Sequence, residues 1–237
     1  MTRSARLSRR EALAMLGVGG MALSVVRCGD SATGPTPIAD ATAPTGTSGA
    51  TCVVSPSETI GPYPSLTDLF RSDIREGKGG VPLTLTIAVV NVNSGCSPVA
   101  GANVDIWQCD ADGRYSQYAQ PGYNGQADTF LRGLQVTDGA GRVTFTTIYP
   151  GWYMGRATHI HVEVTMSGRS VKVTQIAFPE GVTAAVYAAG AYASRGQNPT
   201  ANARDNVFAD SLASELATVA GDPTRGYTAT FTVGAAL

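Results

Sequence analysis

The stretch HIHVEVTM, residues 159–166, alternates two kinds of side chain. In an extended strand, His159, His161 and Glu163 project to one side. The other side is apolar and fits a protein core: Ile160, Val162, Val164 and Met166. The chain has two histidines among its 237 residues, and both are here. Two imidazoles on one strand face are a typical start for a metal site, although exposed or hydrogen-bonded strand histidines would give the same pattern.

Similar alternation elsewhere predicts further strands. The run VPLTLTIAVVNV (81–92) is typical of a half-buried strand, ANVDIWQC (102–109) follows it, and YTATFTV (227–233) closes the chain. GLQVTD and RVTFTTI flank GAG, and HIHVEVTM and VKVTQIAF flank SGRS, so each pair predicts a hairpin. Helical composition is confined to Val182–Gly190 and Asn206–Ala220.

Strands in antiparallel pairs with short turns predict an all-β fold, an antiparallel β-sandwich with minor helices. The apolar side of HIHVEVTM then faces the sandwich core, so His159 and His161 face outward. Two loops, 110–132 and 149–158, are candidates to cover them, and both are rich in tyrosine.

The N-terminal residues predict export rather than folded structure. Four arginines precede an uncharged, mostly apolar run that is short for a membrane span, so residues 1–28 are interpreted as an export signal. SRREALAML resembles a twin-arginine signal, and an ordinary secretory signal with a chance Arg-Arg pair is the alternative. Cys28 could be lipidated and tether the protein to a membrane, although Arg27 departs from the small residue that precedes such cysteines.

Residues 29–50 are dense in Thr, Ala, Gly, Pro and Ser and predict a flexible linker. Residues 51–237 then form one domain of ordinary size. The formal net charge of the chain is −1, with no basic run after the signal, which argues against a nucleic-acid partner. The oligomeric state stays open.

Three cysteines lie within the predicted domain, and an exported protein can oxidise them. Cys96 and Cys109 are expected near opposite ends of one strand, which argues against a bond between them. A disulfide from Cys52 to one of the two is favoured, and the sequence does not choose the partner. The sequence has no C-x-x-C pair, so a cysteine-based zinc site is not indicated.

Tyrosines in the two loops are candidate ligands for a metal. They are Tyr115, Tyr118, Tyr123, Tyr149 and Tyr153. A phenol has a reference pKa of about 10, so it becomes a good ligand only when a strong, hard Lewis acid replaces its proton. Ferric iron meets that demand, whereas zinc more often takes His, Cys or carboxylate. The alternative is that these rings simply cover the rim of the core.

Four motifs, in order, resemble the intradiol ring-cleavage dioxygenases, the catechol and protocatechuate dioxygenase family. They are ETIGPYP (58–64), VDIWQCDADGRYS (104–116), FLRGLQVTDGAGRVTFTTIYPGWYMGRATHIHVEV (130–164) and VTQIAFPE (173–180). The short spacing between tyrosine and histidine is similar to the exported, single-domain branch of that family. The resemblance covers roughly residues 51–237 and implies a β-sandwich enzyme.

The resemblance implies a ferric ion, Fe(3+), held by four side chains: Tyr115, Tyr153, His159 and His161. In this family a catechol-type substrate binds through both oxygens and Tyr153 would act as a base for its protons. Dioxygen then opens the ring between the two hydroxyl-bearing carbons, which gives a cis,cis-muconate. Arg156 would stabilise negative charge on the substrate ring, an electrostatic role that suits a permanently charged group.

The family also implies that Gln175 lines the pocket and that Pro62 and Tyr63 bind substrate near its mouth. Relatives usually carry an acidic residue where this chain has Ile60, so the function of that acid is in doubt here. Trp107 and Trp152 are interpreted as packing residues. Arg114, Arg132 and Lys172 cannot be placed relative to the iron, so catechol, protocatechuate and hydroxyquinol all remain possible substrates.

Two other functions are compatible with the pattern. One is a non-catalytic cell-envelope binding module on the same β-sandwich, which would have no chemical need for two phenolates. The other is a zinc hydrolase, which is disfavoured because no carboxylate stands at ligand spacing from the histidines and no general base is evident.

Overall fold

The computed structural model describes residues 52–237. The predicted export signal at 1–28, the linker at 29–50 and the lipidation of Cys28 lie outside the described residues. Within residues 52–237, no helix has the length and apolar character needed to cross a membrane.

Eleven strands account for most of the regular structure described. They are β1 (Pro82–Asn91), β2 (Ser97–Pro98), β3 (Asn103–Trp107), β4 (Ala119–Gln120), β5 (Tyr123–Asn124), β6 (Arg132–Val136), β7 (Arg142–Ile148), β8 (His159–Met166), β9 (Arg169–Ala177), β10 (Thr218–Asp222) and β11 (Gly226–Ala235). The two α-helices are α1 (Glu180–Tyr187) and α2 (Leu212–Glu215), and three short 3-10 turns lie at Val92–Ser94, Gly190–Tyr192 and Asn202–Arg204.

The strands form two principal sheets. One contains four strands in the order β6-β3-β8-β9, and all its neighbours are antiparallel. The other contains five strands in the order β10-β11-β1-β2, with β7 paired to β1 as well. β1 and β11 run parallel, which departs from the antiparallel pairing that the turns predicted. A small ribbon of β4 and β5 completes the described sheet structure.

A single apolar core joins the two sheets, as the alternation predicted. In β1 it takes every second residue: Leu83, Leu85, Ile87 and Val89. In β8 it takes Ile160, Val162 and Val164, with Met166 packed at its margin. Because side chains alternate across a strand, this burial fixes the other face of β8, so both histidines point away from the core. The all-β sandwich prediction is confirmed.

The hairpin predicted around GAG is wrong, because β6 and β7 belong to different sheets. The turn itself forms: the Asp138 carboxylate accepts hydrogen bonds from the backbone N–H groups of Ala140 and Arg142. Gly141 then lies against β1, where its carbonyl accepts from the Val89 N–H at 2.8 Å. That contact turns the chain toward the five-stranded sheet. The second predicted hairpin, β8 to β9, is confirmed.

The helix predicted over residues 206–220 is also wrong. Only α2 is helical there, and the residues after it form β10, which pairs with β11. Pairing along a sheet edge has overridden the local preference of an Ala- and Leu-rich segment, as tertiary contacts often do. The other predicted helix, 182–190, is present as α1, which begins at Glu180 and ends at Tyr187.

The structure chooses the cysteine pairing that the sequence left open. Cys52 bonds to Cys96, with 5.8 Å between their Cα atoms, and Cys109 is a buried free thiol. Cys96 lies in the turn before β2 and not at the start of β3, so the expectation that Cys96 and Cys109 share one strand is wrong. The prediction that they do not bond to each other holds.

Candidate metal centre

The site lies on the face of the four-stranded sheet that points away from the core. The register of β6, β3, β8 and β9 places Arg132, Trp107, His161 and Gln175 side by side in one row across the sheet. His159 lies one row further along β8. All five side chains are at most 3% exposed, because loops fold over this face.

A backbone carbonyl two residues earlier fixes the ring of His159 and leaves its Nε2 nitrogen free of that bond. Its Nδ1 lies 2.7 Å from the Ala157 carbonyl, which can only accept, so Nδ1 carries the proton. The lone pair of Nε2 then points to two phenol oxygens, Tyr115 Oη at 3.4 Å and Tyr153 Oη at 3.3 Å. Three donor atoms from separate parts of the chain therefore converge.

His161 completes the group from the neighbouring row. Its ring stands edge-on to that of His159, with centroids 4.8 Å apart, and stacks on Trp107 at 5.0 Å and an interplanar angle of 5°. Its Nδ1 is buried without a hydrogen-bond partner among the described residues. Gly61 lies against the same ring: a Cβ at that position would approach His161 Cε1 to 2.7 Å. The GPY segment can cover the imidazole only with a glycine there.

The two tyrosines come from the loops that sequence reasoning selected. Tyr115 follows β3, and Tyr63 stacks on its ring with centroids 4.8 Å apart. Tyr153 belongs to the loop between β7 and β8 and stands edge-on to Tyr115 at 5.8 Å. Tyr115 is fully buried, whereas Tyr153 keeps part of its surface accessible. Of the two phenols, Tyr153 is therefore the one that a solute can reach.

Burial makes all four donors neutral when no cation is present. It lowers the pKa of His159 to about 3 and, with the neighbouring His159 and Arg156, lowers the pKa of His161 well below its usual value. Burial also raises the pKa of Tyr115 far above 10 and that of Tyr153 to about 12, the latter despite Arg156, which lowers it. Neutral imidazole is the form that binds metals, so both histidines are ready ligands.

The donor set fits a hard, highly charged ion. Two neutral imidazoles and two phenols carry no charge of their own, and each phenol needs a strong Lewis acid to displace its proton. A metal held here would take the two tyrosines as ligands beside the two histidines, since these are the four donors that converge. This argues for ferric iron over zinc.

Arg156 is fixed beside the donors by two partners. Its Nε donates to Asp205 Oδ2 at 2.9 Å and its Nη2 donates to Gln175 Oε1 at 2.6 Å. Gln175 in turn donates from Nε2 to the Thr59 carbonyl at 3.0 Å, which ties the segment before Gly61 to the same network. The guanidinium is therefore held in one orientation next to the metal ligands.

Sequence reasoning did not identify Asp205 as a residue of this site, and it named Arg132 without placing it. Asp205 is fully buried, lies just before the segment wrongly predicted as helix and is 49 residues from Arg156 in the sequence, so no local signal pointed to it. Arg132 donates to Ser116 Oγ at 2.9 Å, the Ser116 carbonyl at 2.7 Å and the Tyr63 carbonyl at 2.9 Å. Its position in the motif FLRG was a signal, because an arginine at the start of a buried strand needs partners.

The remaining candidates fall around this centre. Pro62 is exposed and follows Gly61, and Tyr63 covers Tyr115, so the GPY segment forms one edge of the site. Trp107 packs beneath His161, and Trp152 donates from Nε1 to the Gly196 carbonyl at the margin of the core, as packing residues would. Tyr118 donates to the Pro64 carbonyl and Tyr123 bonds to Asp128, so neither Oη joins the donor group.

Comparison with known proteins places this arrangement among dioxygenases. A family described as Dioxygenase matches residues 61–195, more than half of the chain. The chain is similar to the solved intradiol ring-cleavage dioxygenase from Tetranychus urticae, at 30% identity over 78% of this chain and 95% of that chain, with a TM-score of 0.70.

Two curated proteins match over shorter stretches. A catechol 1,2-dioxygenase of Candida albicans is 34% identical over 100 residues, which cover 33% of this chain and 31% of that protein. A hydroxyquinol 1,2-dioxygenase of a Rhizobium species is 35% identical over 101 residues, which cover 35% of this chain and 33% of that protein. The match thus spans about a third of the length of these curated relatives.

Proposed function

This chain belongs to the intradiol ring-cleavage dioxygenase family, and on that premise we propose that it is a non-haem Fe(III) enzyme that cleaves catechol-type rings with O2. The products would be of the cis,cis-muconate type. One observation carries the proposal: His159 Nε2 faces the hydroxyls of Tyr115 and Tyr153 within 3.4 Å, with the His161 ring alongside.

Tyr115, Tyr153, His159 and His161 would hold the iron. Bound ferric iron supplies Lewis acidity, which makes the two phenols and a catechol acidic and draws electron density from the substrate ring. His159 keeps its proton on Nδ1 through the Ala157 carbonyl, and Trp107 holds the plane of His161, so both imidazoles stay oriented.

Tyr153 would take a proton from one catechol hydroxyl at its Oη. It suits this role better than Tyr115 because it is accessible and because Arg156 offsets part of the rise in its pKa that burial causes. Arg156 would then stabilise negative charge on the substrate, since Asp205 and Gln175 hold its guanidinium in place before substrate arrives.

The surrounding aromatic residues would keep water from the reacting ring. Tyr63 covers Tyr115, Trp107 lies beneath His161, and Phe208 is fully buried with its ring 6.5 Å from that of His159. Because these apolar side chains exclude water, the electrostatic interactions within the site are stronger than they would be in water.

The visible absorption spectrum and iron content of the purified protein test the proposal directly. Tyrosinate bound to ferric iron should give a broad red-brown band, and catechol added without oxygen should shift it to longer wavelength. A protein that stays colourless after reconstitution with ferric iron contradicts the four-ligand site and favours the alternative, a binding module on the same scaffold.

Replacement of Tyr153 separates enzyme from binding module. Tyr153→Phe should lower ring cleavage by about 100-fold or more, since general acid–base catalysis typically contributes 100-fold to 10,000-fold. Tyr227→Phe, in the core and away from the donors, is the matched control and should retain activity. Unchanged cleavage by Tyr153→Phe would remove the proposed base; unchanged catechol affinity with no cleavage in either protein would favour the binding module.

We further propose that the protein is exported, by the twin-arginine route that SRREALAML resembles, with Cys28 as a possible lipid anchor. The Cys52–Cys96 disulfide supports an oxidising compartment. Cell fractionation of the full chain and of an Arg9→Lys, Arg10→Lys variant tests the route. Retention of the variant in the cytoplasm is expected, and equal export of both proteins would contradict it.

A further inference from the structure

We infer that this site takes catechols whose ring carries no charged substituent and discriminates against ring-carboxylated ones, because the basic side chains around it are already bound within the protein. The inference rests on the proposed ring-cleaving function and specifies its substrate class. Sequence reasoning left this open, since Arg114, Arg132 and Lys172 could not be placed. The structure places all three.

Arg156 lies beside the donors, and its charge is matched by Asp205. The two side chains meet at 2.9 Å, Asp205 is fully buried, and the Asp205 Oδ2 that binds Arg156 also accepts from the Ala157 N–H. A second Arg156 nitrogen is occupied by Gln175. Because buried Asp205 balances its charge and Gln175 holds its orientation, the guanidinium is not an uncompensated cation for a permanent carboxylate on the substrate.

Arg132 is close to Tyr115 but is directed away from any incoming ligand. It is fully buried, and its three nitrogens donate to Ser116 and to the Tyr63 carbonyl. Its guanidinium lies 5.9 Å from the centre of the Tyr115 ring and 5.4 Å from that of Tyr118. A substrate carboxylate could reach it only by displacing the loop that carries a metal ligand.

Lys172 and Arg114 are also engaged elsewhere. Lys172 is buried, and its Nζ donates to the Ser55 carbonyl at 2.7 Å and to Ser57 Oγ at 2.9 Å. Arg114 stacks on Tyr123 at 5.1 Å and pairs with Asp112 at 3.7 Å, on the exposed side of its loop. Neither is a free counter-charge for a substrate.

Carboxylates outnumber cations around Arg156. The Glu58 N–H donates to the Val173 carbonyl at 2.9 Å, and the carbonyl of its neighbour Thr59 accepts from Gln175. Burial raises the pKa of Glu58, Asp210 raises it further and Arg156 lowers it, so these charges share one neighbourhood. With Asp205, that neighbourhood holds three carboxylates against two cations, Arg156 and Lys172.

A carboxylated ring would therefore enter a region that is net negative and lacks a free donor cation. Bringing such a charge out of water without a partner is unfavourable, and like charges add to the cost. A catechol with hydrogen, alkyl or hydroxyl substituents meets no such penalty. Discrimination of this kind arises from repulsion of the wrong substrate rather than from added attraction for the right one.

The test compares catechol with protocatechuate on the iron-loaded protein. We expect kcat/KM for catechol to exceed that for protocatechuate by about tenfold or more, and anaerobic titration of the absorption band to show the same order of affinity. Glu58→Gln with Asp210→Asn should reduce the ratio by about threefold to tenfold, mainly through KM for protocatechuate, since two partly screened charges are removed.

Asp73→Asn with Asp222→Asn is the matched control, because it removes the same formal charge from exposed turns away from the donors and should leave the ratio unchanged. Equal or faster cleavage of protocatechuate by the natural protein overturns the inference while the ring-cleaving function stands. Cleavage of neither ring by iron-loaded protein overturns both. A ratio shifted equally by the control pair shows that net charge, and not this site, sets the preference.

Discussion

Both faces of the four-stranded sheet are buried where the candidate metal donors lie, but for different reasons. Toward the core, the same strands present fully buried apolar residues: Val104, Ile106, Ile160, Val162, Val164 and Ile176. Toward the loops they present Arg132, Trp107, His161 and Gln175, each at most 1% exposed. Burial alone therefore does not distinguish structure from function in this sheet.

The difference between the faces lies in what each side chain needs from its neighbours. Apolar groups gain from burial in any direction, whereas a buried polar atom must meet a partner at a defined distance. On the outer face Arg132 and Gln175 have such partners, but His161 Nδ1 has none among the described residues, and the Nε2 of His159 faces only two phenols. The proposed metal donors are thus incompletely satisfied within the described residues, and so is the buried Nε1 of Trp107, which packs beneath His161.

The adjacent residues Ile160 and His161 provide the most direct test of whether the two faces have separate roles. His161→Ala should lower iron retention and ring cleavage by at least about 100-fold, because loss of even an indirect ligand partner can cost 10- to 100-fold in metal affinity. Iron per protein after gel filtration and turnover of catechol measure the effect. Wild-type iron content in a folded His161→Ala protein would exclude this imidazole as a ligand.

Ile160→Ala should have the opposite effect. It should lower the free energy of unfolding and leave the iron content unchanged, because the metal donors are not altered. A loss of about 2–5 kcal/mol is expected for removal of a large aliphatic side chain from a packed core, and about 0.5–1.5 kcal/mol for Ile160→Val. Urea unfolding measures both, alongside iron content. If Ile160→Ala lost iron while its unfolding free energy was unchanged, the two faces would not be separable in this way.

Arg132 lies at the boundary of the comparison, because its contacts stabilise the fold and position the site together. Arg132→Met should lower the free energy of unfolding by about 1.5–3 kcal/mol, as expected for hydrogen bonds from a charged group. It should also raise KM and shift the tyrosinate band, since Ser116 adjoins Tyr115 and Tyr63 covers it.

Arg132→Lys keeps the charge but has one nitrogen, so it should recover part of the stability and little of the band position. Arg142→Met removes an exposed arginine from β7 and is the matched control. A purely structural role for Arg132 would leave the absorption band and KM of the folded fraction unchanged, and that result would remove Arg132 from the site.

Much of this arrangement could be predicted from local pattern. The alternation of side chains in β1 and β8 predicted which residues form the core and that His159 and His161 face outward. The tyrosine-rich loops were predicted to cover them. The structure brings Tyr115, Tyr153, Arg156 and Gln175 to the same place.

The predictions that failed concern segments whose structure depends on contacts with residues far away in the sequence. The turn between β6 and β7 forms as its residues predict, but β7 then pairs with β1 along its whole length, beginning beside the contact between Gly141 and Val89. Asp205 joins Arg156 from 49 residues away in the sequence, and β10 pairs with β11 although its residues were mostly predicted as helix. Composition carries no information about such partners.

The smallest expected effect comes from Asp105, a carboxyl on the outer face that has no role in the metal site. It stands opposite Glu163 across the sheet, and burial, assisted by Glu163, raises its pKa to about 7. The folded state thus binds its proton more tightly than the unfolded chain, so its contribution to stability is full below the unfolded pKa of 3.8 and is lost as pH rises toward 7. Asp105→Asn cannot ionise and should be more stable than wild type at pH 8, by on the order of 2 kcal/mol, and not at pH 4.

Asp73→Asn is the control with the opposite sign, because Arg75 lowers the pKa of Asp73 to about 2 and loss of this carboxylate should destabilise the protein at pH 8. Equal stability of Asp105→Asn and wild type at both pH values would mean that Asp105 is as well solvated in the fold as in the unfolded chain, and that this part of the outer face needs no partner at all.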